Sequence, residues 1–468
     1  MKKQIRVLFL LFVSAAFSQT DTNDTILGFD EYLGYVKAYH PIVKQANLKL
    51  DEGQAKLMKA RGVFDPKIEI DYQRKTFKNT EYYDKLNATF KIPTWYGIEL
   101  KGTFENNEGD YLNPEYKVPE DGLYSAGISF NVLQGLVLDA RRAALKQAKL
   151  FAKQAEQDQL LAVNQILYDA SLVYFNWLRQ YKEMEVYQTF LENAVFRFNS
   201  VKQNVEAGET AAIDSVEARI TLNNRKLNLE KARIQLLKAK LELSNYLWLE
   251  NNLPVELQDG ILPDVENVSN VDEVLGVSDS LLYNETLDGH PKLQSLNFKI
   301  DRLEVDKRLK INELLPKLEL QYNFLSETPG VVRSFSTSAY KSGVNFRVPL
   351  FLRKERGNLK LSRLKLQEAQ YQIDFTRQRL KNKIMAAKQT LASNALQNGF
   401  AKDVVRDYET LLQAESRKFS MGESSLFLVN SRETKLIEAK IKAIDIENKY
   451  LESVAQLFNN LGILPKIN

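Results

Sequence analysis

The sequence predicts a mixed α and β membrane protein that consists mainly of long α-helices, with a smaller set of strands that form a β-barrel. Three observations predict this fold class. One stretch has the pattern of a single helix of exceptional length, the order of elements occurs twice along the chain, and both copies contain alternating strands that no predicted layer covers.

The longest predicted element runs from Leu138 to Ala207, about 70 residues without Pro or Gly. Apolar residues recur with a period of about 3.6 residues, which predicts one continuous helix. The predicted stripe consists of Phe151, Ala155, Ala162, Ile166, Ala170, Val173, Trp177, Tyr181, Met184, Leu191, Val195 and Phe198. Such a helix is on the order of 100 Å long, more than a compact domain uses. It ends at Gly208, which suits a left-handed C-cap, and Thr210 is placed to cap the next helix. A long coiled coil is the alternative interpretation of this stretch alone.

Residues 1–18 have the pattern of a secretory signal peptide, with cleavage expected before Gln19. Three basic residues, an apolar run and two small residues follow in the order of such signals: Lys2, Lys3 and Arg6, then 7–13, then Ala16 and Ser18. The apolar run is too short to span a bilayer, and no later stretch reaches about 18 consecutive apolar residues. We therefore expect no transmembrane helix in the mature chain.

Composition excludes several classes of function. Removing the three basic residues of the signal from the 64 Lys and Arg leaves 61 against 60 Asp and Glu, so no nucleic acid is expected as a partner. The chain has no Cys, and its two His lie 250 residues apart without neighbours that would complete a metal shell. We expect no catalytic site, no metal and no cofactor, and therefore no enzyme.

The two halves of the chain match each other at an offset of 250 residues. His40-Pro41 recurs as His290-Pro291, and Pro66-Lys-Ile-Glu-Ile recurs as Pro316-Lys-Leu-Glu-Leu. Each His-Pro pair predicts a helix start, because Pro suits the first helical position and a polar residue precedes it. Each half therefore has the order helix, strands, very long helix, Gly turn, helix.

These matches divide the chain into four parts. They are the signal peptide (1–18), a first repeat (19–252, with strands within 66–132 and a turn near 208), an irregular connector (253–283) and a second repeat (284–468, with strands within 316–348 and a turn near 422). The connector is the least periodic part of the chain and is rich in Pro and Gly.

The strands alternate between apolar and polar residues, as at Ile68, Ile70 and Tyr72 in the first repeat. Such strands bury one face and expose the other. A soluble half-buried sheet has the same pattern, but the flanking helices are far too long to fold back as a cover. Lipid is then the solvent for the apolar face, and a closed barrel pairs every backbone group there. Aromatic residues near the strand ends suit interfacial girdles: Tyr82, Tyr83, Trp95, Tyr96, Tyr111 and Tyr124.

In the order of its elements, its duplicated unit and its two helical turns, the chain resembles the TolC-like outer-membrane efflux protein (OEP) family of Gram-negative bacteria. The resemblance extends from about Phe29 to Leu461. The turn segments are Gly208-Glu-Thr-Ala-Ala-Ile-Asp214-Ser-Val-Glu217 and Gly422-Glu-Ser-Ser-Leu-Phe-Leu428-Val-Asn-Ser431. The resemblance implies a homotrimer in which each chain contributes strands to one shared transmembrane barrel and helices to one periplasmic α-barrel. The shorter helices of each half, stacked end to end, would match the long helix beside them.

The resemblance also implies a function and partners. The protein would be the exit duct of a tripartite efflux or type I secretion system in the outer membrane, extending into the periplasm and conducting passively. Its partners would be a periplasmic adaptor (membrane fusion protein), an inner-membrane transporter of the RND or ABC type, and outer-membrane lipid. The implied adaptor contacts are the two turns, at Gly208, Glu209, Gly422 and Glu423.

The family's acidic residues that narrow the pore lie six and nine positions after each turn Gly. The first half has Asp214 and Glu217 there, whereas the second half has Leu428 and Ser431. A ring of Leu428 is therefore expected to close the pore by narrowing or dewetting. For the two acidic residues, a solvated helix face near a cap is the alternative interpretation, since Asp in a first turn also suits the helix dipole.

An additional alternating hairpin is predicted within residues 81–106. If it stays outside the barrel, four strands per chain give 12 in the trimer, and this is the favoured prediction because the tunnel has a fixed number of helices. If it joins, six strands per chain give 18.

The rival function is a non-conducting, envelope-spanning coiled-coil structural protein. It accounts for the helices and the signal peptide, but not for amphipathic strands before each long helix.

Overall fold

The computed structural model describes residues 25–266, 270–277, 287–329 and 336–466. The predicted signal peptide and its cleavage site lie outside the described residues, as does part of the predicted connector. Among the helices of the described residues, none combines the length and the apolarity needed to cross a bilayer.

The chain consists of long helices and one large sheet, joined by a small mixed region. The helices are α1 (Phe29–Tyr39), α2 (Pro41–Gly62), α3 (Ala140–Glu206), α4 (Ala212–Ser244), α5 (Val271–Val274), α6 (Pro291–Asn312), α7 (Arg353–Ser420) and α8 (Leu426–Leu461). The strands are β1 (Thr25–Leu27), β2 (Lys67–Phe77), β3 (Thr80–Pro93), β4 (Ile98–Glu108), β5 (Leu123–Asn131), β6 (Trp248–Leu249), β7 (Leu253–Pro254), β8 (Ile261–Pro263), β9 (Lys317–Ser326) and β10 (Tyr340–Arg347).

The helices lie side by side in four columns, which we call tracks. Each track is either one long helix or two shorter helices placed end to end. Helix α3 packs against α2 and α4 on one side and against α6 and α8 on the other, and α7 packs against α6 and α8. The tracks are therefore α2 with α4, then α3, then α6 with α8, then α7. Because α3 has 67 residues and α7 has 68, each runs the whole height that two shorter helices share beside it. The prediction that the shorter helices stack end to end alongside the long ones is confirmed.

Both predicted His-Pro helix starts are confirmed. The His40 Nδ1 atom accepts a hydrogen bond from the Ile42 N–H (3.3 Å), and His290 Nδ1 accepts one from the Lys292 N–H (3.0 Å). Each ring thus satisfies one of the free N–H groups at the start of α2 or α6, while Pro occupies the first turn.

A buried aromatic core holds the tracks together near mid-height. Tyr32, Tyr174, Trp177 and Phe458 are nearly inaccessible to solvent and belong to one cluster. The Tyr174 hydroxyl donates a hydrogen bond to the Leu27 carbonyl (2.8 Å) at the end of β1, and β1 pairs in parallel with β8. The start of the described chain and the region between the repeats are therefore fixed to the same core.

Six strands form one antiparallel sheet in the order β10-β9-β5-β4-β3-β2. Lys78 and Asn79 connect β2 to β3 with φ values of +52° and +60°, as a tight two-residue hairpin requires. Strands β3 and β4, the additional hairpin, lie in the middle of the sheet between β2 and β5. The favoured prediction of four strands per chain is therefore wrong for the sheet of one chain, because β3 pairs along its length with β2 and with β4.

Candidate functional site

Two similar turns form the end of the molecule furthest from the sheet. After α3, the Glu209 N–H donates to the Asn204 carbonyl (2.9 Å), and Gly208 has a φ of +80°. After α7, the Glu423 N–H donates to the Lys418 carbonyl (2.9 Å), and Gly422 has a φ of +77°. This pairing closes the last turn of each helix with a left-handed Gly. Both Gly and both Glu are exposed.

The helices that follow the two turns begin differently. Ser425 caps α8, because its hydroxyl accepts a hydrogen bond from the Leu428 N–H (3.3 Å). The residue before α4 is Ala211, which has no side-chain acceptor. The prediction that Thr210 caps this helix is therefore wrong, since α4 begins one residue too late for its hydroxyl.

The four predicted constriction residues fall into two groups. Glu217 lies against α8, where its carboxylate accepts a hydrogen bond from the Asn430 amide (3.2 Å). Asp214 is half-buried in the first turn of α4. Leu428 is 39% exposed, and Ser431 is also exposed on the same helix. The structure thus joins Glu217 to a polar network and leaves Leu428 and Ser431 on an open face.

That network crosses three helices. The Arg197 guanidinium on α3 donates to Asn430 Oδ1 (2.8 Å) and to the Glu433 carboxylate (2.5 Å). The Arg225 guanidinium on α4 donates to the other Glu433 oxygen (3.4 Å) and to the Thr434 hydroxyl (3.1 Å). With Glu217, the four ionic side chains sum to zero charge. We call this set, Arg197, Glu217, Arg225, Asn430, Glu433 and Thr434, the tip network.

Burial makes the tip network sensitive to the loss of any member. Glu433 is only 1% exposed and Arg225 is 5% exposed. Removing one partner from a buried ion pair leaves an uncompensated charge, which typically costs about 3–5 kcal/mol. An apolar cluster of Val201, Ala218 and Leu426 lies beside the network and nearer the turns. The end of the molecule is thus held by α3, α4 and α8 together, while the turns remain open to solvent.

The residues that sequence reasoning missed are Arg197, Arg225, Asn430 and Glu433. A signal for two of them was present. Glu433 occupies a place between Val429 and Leu436 on the buried stripe of α8, and Arg225 lies between Leu222 and Leu229 on the buried stripe of α4. A charge at an apolar stripe position of each helix predicts a buried pair between them.

Comparisons with solved structures show the fold. The chain is similar to the CmeC outer membrane channel of Campylobacter jejuni, with 15% identity, a TM-score of 0.64, and coverage of 100% of this chain and 95% of that one. It is also similar to the VceC outer membrane protein of Vibrio cholerae (13% identity, TM-score 0.62, 93% and 96% covered). The open state of the MtrE outer membrane channel of Neisseria gonorrhoeae matches likewise (13%, 0.63, 93% and 88%).

A comparison with curated proteins finds no significant match. The family model described as "Outer membrane efflux protein" matches residues 35–247 and 282–463, which is most of the chain and includes both turns and the whole tip network. Members of this family are channel proteins of the outer membrane and not enzymes. The chain therefore belongs to the outer membrane efflux protein family.

Proposed function

We propose that this protein is the exit duct of a tripartite efflux or type I secretion system. As a homotrimer in outer-membrane lipid, it passively conducts substrates that a periplasmic adaptor and an inner-membrane transporter of the RND or ABC type deliver. The observation that carries the proposal is a pair of apolar edges, on opposite sides of one wall of helices and strands, that no described residue covers.

The first edge lies on α4. Exposed apolar side chains recur there every seven residues, at Ile213, Ile220, Leu227, Ile234 and Leu241. At about 100° per residue, this stripe lies roughly half a turn away from the buried stripe that contains Leu222 and Leu229. Helix α4 therefore has an apolar face on each side, and α3 covers only one of them.

The second edge lies on α7 and has the same geometry. Its exposed apolar residues include Leu361, Leu364, Tyr371, Phe375, Leu396 and Phe400. They too lie roughly half a turn from the side that packs on α6 and α8, the side of Leu366, Ile373 and Ile384. Sustained apolar faces of this kind are typical of helices that pack against another helix.

A second copy of the chain is the partner that fits both edges at once. The α4 edge continues upwards through α2 to strand β2, and the α7 edge continues to strand β10. Because β2 leads away from the helices and β10 leads back to them, β10 of one copy and β2 of the next would run antiparallel. Repeating this contact around a ring leaves no free strand edge in lipid. Three copies close the ring, as the family resemblance implies.

At the far end, the three copies bring Leu428 and Ser431 together around the axis. A ring of the exposed Leu428 side chains obstructs ion flow by narrowing and dewetting. Asp214 and Glu217 contribute negative charge nearby. Glu217 acts mainly through its hydrogen bond to Asn430, which holds α4 against α8.

Single-channel conductance in a planar bilayer tests the duct. Wild-type protein should show small, mostly closed conductance, and Leu428→Ser should raise the open fraction because a hydroxyl lets water wet the constriction. Phe427→Ser, at a more exposed neighbouring position (66%), is the matched control. If neither wild type nor Leu428→Ser conducts, while the protein leaves the membrane in a carbonate wash without detergent, the non-conducting structural alternative is correct.

The two Gly turns offer a separate test of adaptor docking. A Cβ added at Gly208 or Gly422 has no atom within 4 Å, so replacement by Val strains the positive φ without a clash. Helicity by circular dichroism should be retained, while capture of the periplasmic adaptor and export should fall. Gly260→Val, also free of clashes but away from the turns, is the control. Unchanged capture and export in both turn variants would rule out the turns as the docking site.

A further inference from the structure

All six strands of the sheet share one apolar face. Cross-strand register aligns one residue from each strand in an apolar row: Ile68, Phe90, Gly102, Ala126, Phe324 and Tyr340. The adjacent row on the opposite face is polar: Lys67, Lys91, Lys101, Gly127, Asn323 and Lys341. The hairpin β3–β4 thus continues the apolar face of its neighbours and contributes two of the lysines to the polar face.

The hairpin is fixed at both of its sides and at its tip. Strand β3 pairs with β2 over the whole length of β2, and β4 pairs with β5 from Ile98 to Glu105. At the helix end of the sheet, Trp95 in the tip stacks on Phe64 after α2, with ring centroids 4.3 Å apart. Glu99 pairs with Arg141 at the start of α3 (3.6 Å). Moving the hairpin out of the wall would break two strand ladders and these tip contacts.

The width of the sheet agrees with the width of the helical wall. A strand tilted by about 40° takes up roughly 6.3 Å of circumference, so six strands span roughly 38 Å and four span roughly 25 Å. Four helical tracks at roughly 8–10 Å spacing span about 32–40 Å. Six strands therefore continue the helical wall without a taper, and four would not.

We propose that the barrel formed by three copies has 18 strands, with β3–β4 in its wall. This rests on the proposed trimeric duct and specifies its width. The backbone diameter is roughly 36 Å, against roughly 24 Å for 12 strands, and barrels of this size leave an aqueous channel. The narrowest part of the duct is then the helical end at Leu428, and this part limits the size of the substrate. The lumen of the barrel is wide and is lined by rings of lysine.

Spin labels on single engineered cysteines test the position of the hairpin, since the chain has no Cys of its own. Ala88→Cys lies on the apolar face of β3, and Thr89→Cys lies on its polar face. The matched control pair is Ala126→Cys and Ser125→Cys on β5, a strand that belongs to the barrel in either arrangement. Collision rates with oxygen, which concentrates in lipid, and with a water-soluble nickel chelate are measured in reconstituted vesicles.

An 18-stranded barrel gives the same contrast in both pairs: oxygen collisions dominate at Ala88 and Ala126, and nickel collisions dominate at Thr89 and Ser125, each by several-fold. If the β5 pair shows this contrast while Ala88 and Thr89 are equally exposed to nickel, the hairpin lies outside the wall. The 18-strand proposal then fails while the duct stands. If the β5 pair also lacks contrast, the sheet does not face lipid, and the proposed function fails with it.

Discussion

The two longest helices, α3 and α7, occupy corresponding places in the two repeats but have opposite surroundings. Helix α3 buries 17 of its 67 residues between two pairs of shorter helices. Helix α7 buries only eight of 68, because the described part of the chain packs against one of its sides. Exposed large apolar residues on α3 are limited to Val195 and Phe196, whereas α7 exposes them along most of its length.

Burial in these two helices therefore depends on their position in the wall more than on their sequence pattern. The two repeats of one chain meet at a single junction. Helix α3 lies at that junction and is covered by helices of both repeats, whereas α7 lies at the outer edge and packs only on helices of its own repeat among the described residues. The exposed apolar faces of α7 and α4 lie at the two opposite edges of one layer of helices.

Creating a cavity in the interior of the wall should cause the greatest loss of stability. Phe175 on α3 is 1% exposed, and Phe175→Ala should lower the free energy of unfolding by about 3–5 kcal/mol. Phe375 on α7 is 65% exposed, so Phe375→Ala should act on assembly instead. Thermal unfolding in detergent at several protein concentrations separates the two. The loss at Phe375 should grow on dilution and that at Phe175 should not. Equal, concentration-independent losses would contradict the distinction between interior and edge.

A smaller effect is expected at the tip network. Glu433→Gln keeps the shape of the side chain but leaves Arg197 and Arg225 without their shared carboxylate, so stability should fall by about 2–4 kcal/mol. The control is Glu438→Gln on the same helix, whose exposed pair with Lys435 should contribute little to stability because solvent screens it. Denaturant midpoints measure both, and a similar small shift in each variant would show that the network does not hold α3, α4 and α8 together.

The smallest effect is expected at the two histidine caps, one in each repeat. Burial lowers the pKa of His290 below its ordinary value of 6.5, and the charge of Lys292 acts in the same direction. The pKa of His40 is also lowered by burial. Because the folded state favours the neutral ring, the stabilisation is present above pH 6.5 and is lost as the pH falls below it.

Thermal melts of wild type and of the double variant His40→Asn, His290→Asn measure this effect. Asn keeps a side-chain acceptor at each cap but does not titrate, so the variant should lose less stability than wild type between about pH 7.5 and about pH 5.5. Parallel curves would contradict a contribution from the caps. The matched single variants then assign the difference to one repeat or the other.

Most of the features that the sequence predicted depend on local chemistry. An unbroken apolar period without Pro or Gly predicted α3, and His-Pro predicted the starts of α2 and α6. Gly208 and Gly422 have positive φ, and each follows the end of a long helix. Each of these features is determined by residues within a few turns of one another.

Specific side-chain contacts between residues far apart in the sequence were not predicted. The predicted stripe on α3 includes Trp177 but omits Tyr174 and Phe175, because α3 is covered on two sides and a single stripe describes one. Glu433 and Arg225 form a pair across 208 residues of sequence. The place of β3–β4 in the sheet depends on pairing partners, which alternation alone does not specify. Long-range contacts therefore account for most of what was missed.

The inserted hairpin also shows how such a wall can change size during evolution. The hairpin β3–β4 leaves the far end of the sheet and returns to it, with its tip at the helix end, so its insertion preserves the direction of every later strand. One additional strand would instead place the start of α3 on the far side of the sheet. Duplication or deletion of a whole hairpin therefore changes the number of strands by two. It alters the circumference of the sheet while the helices keep their order. The circumference of the strand barrel can therefore change in evolution while the length of the helices stays the same.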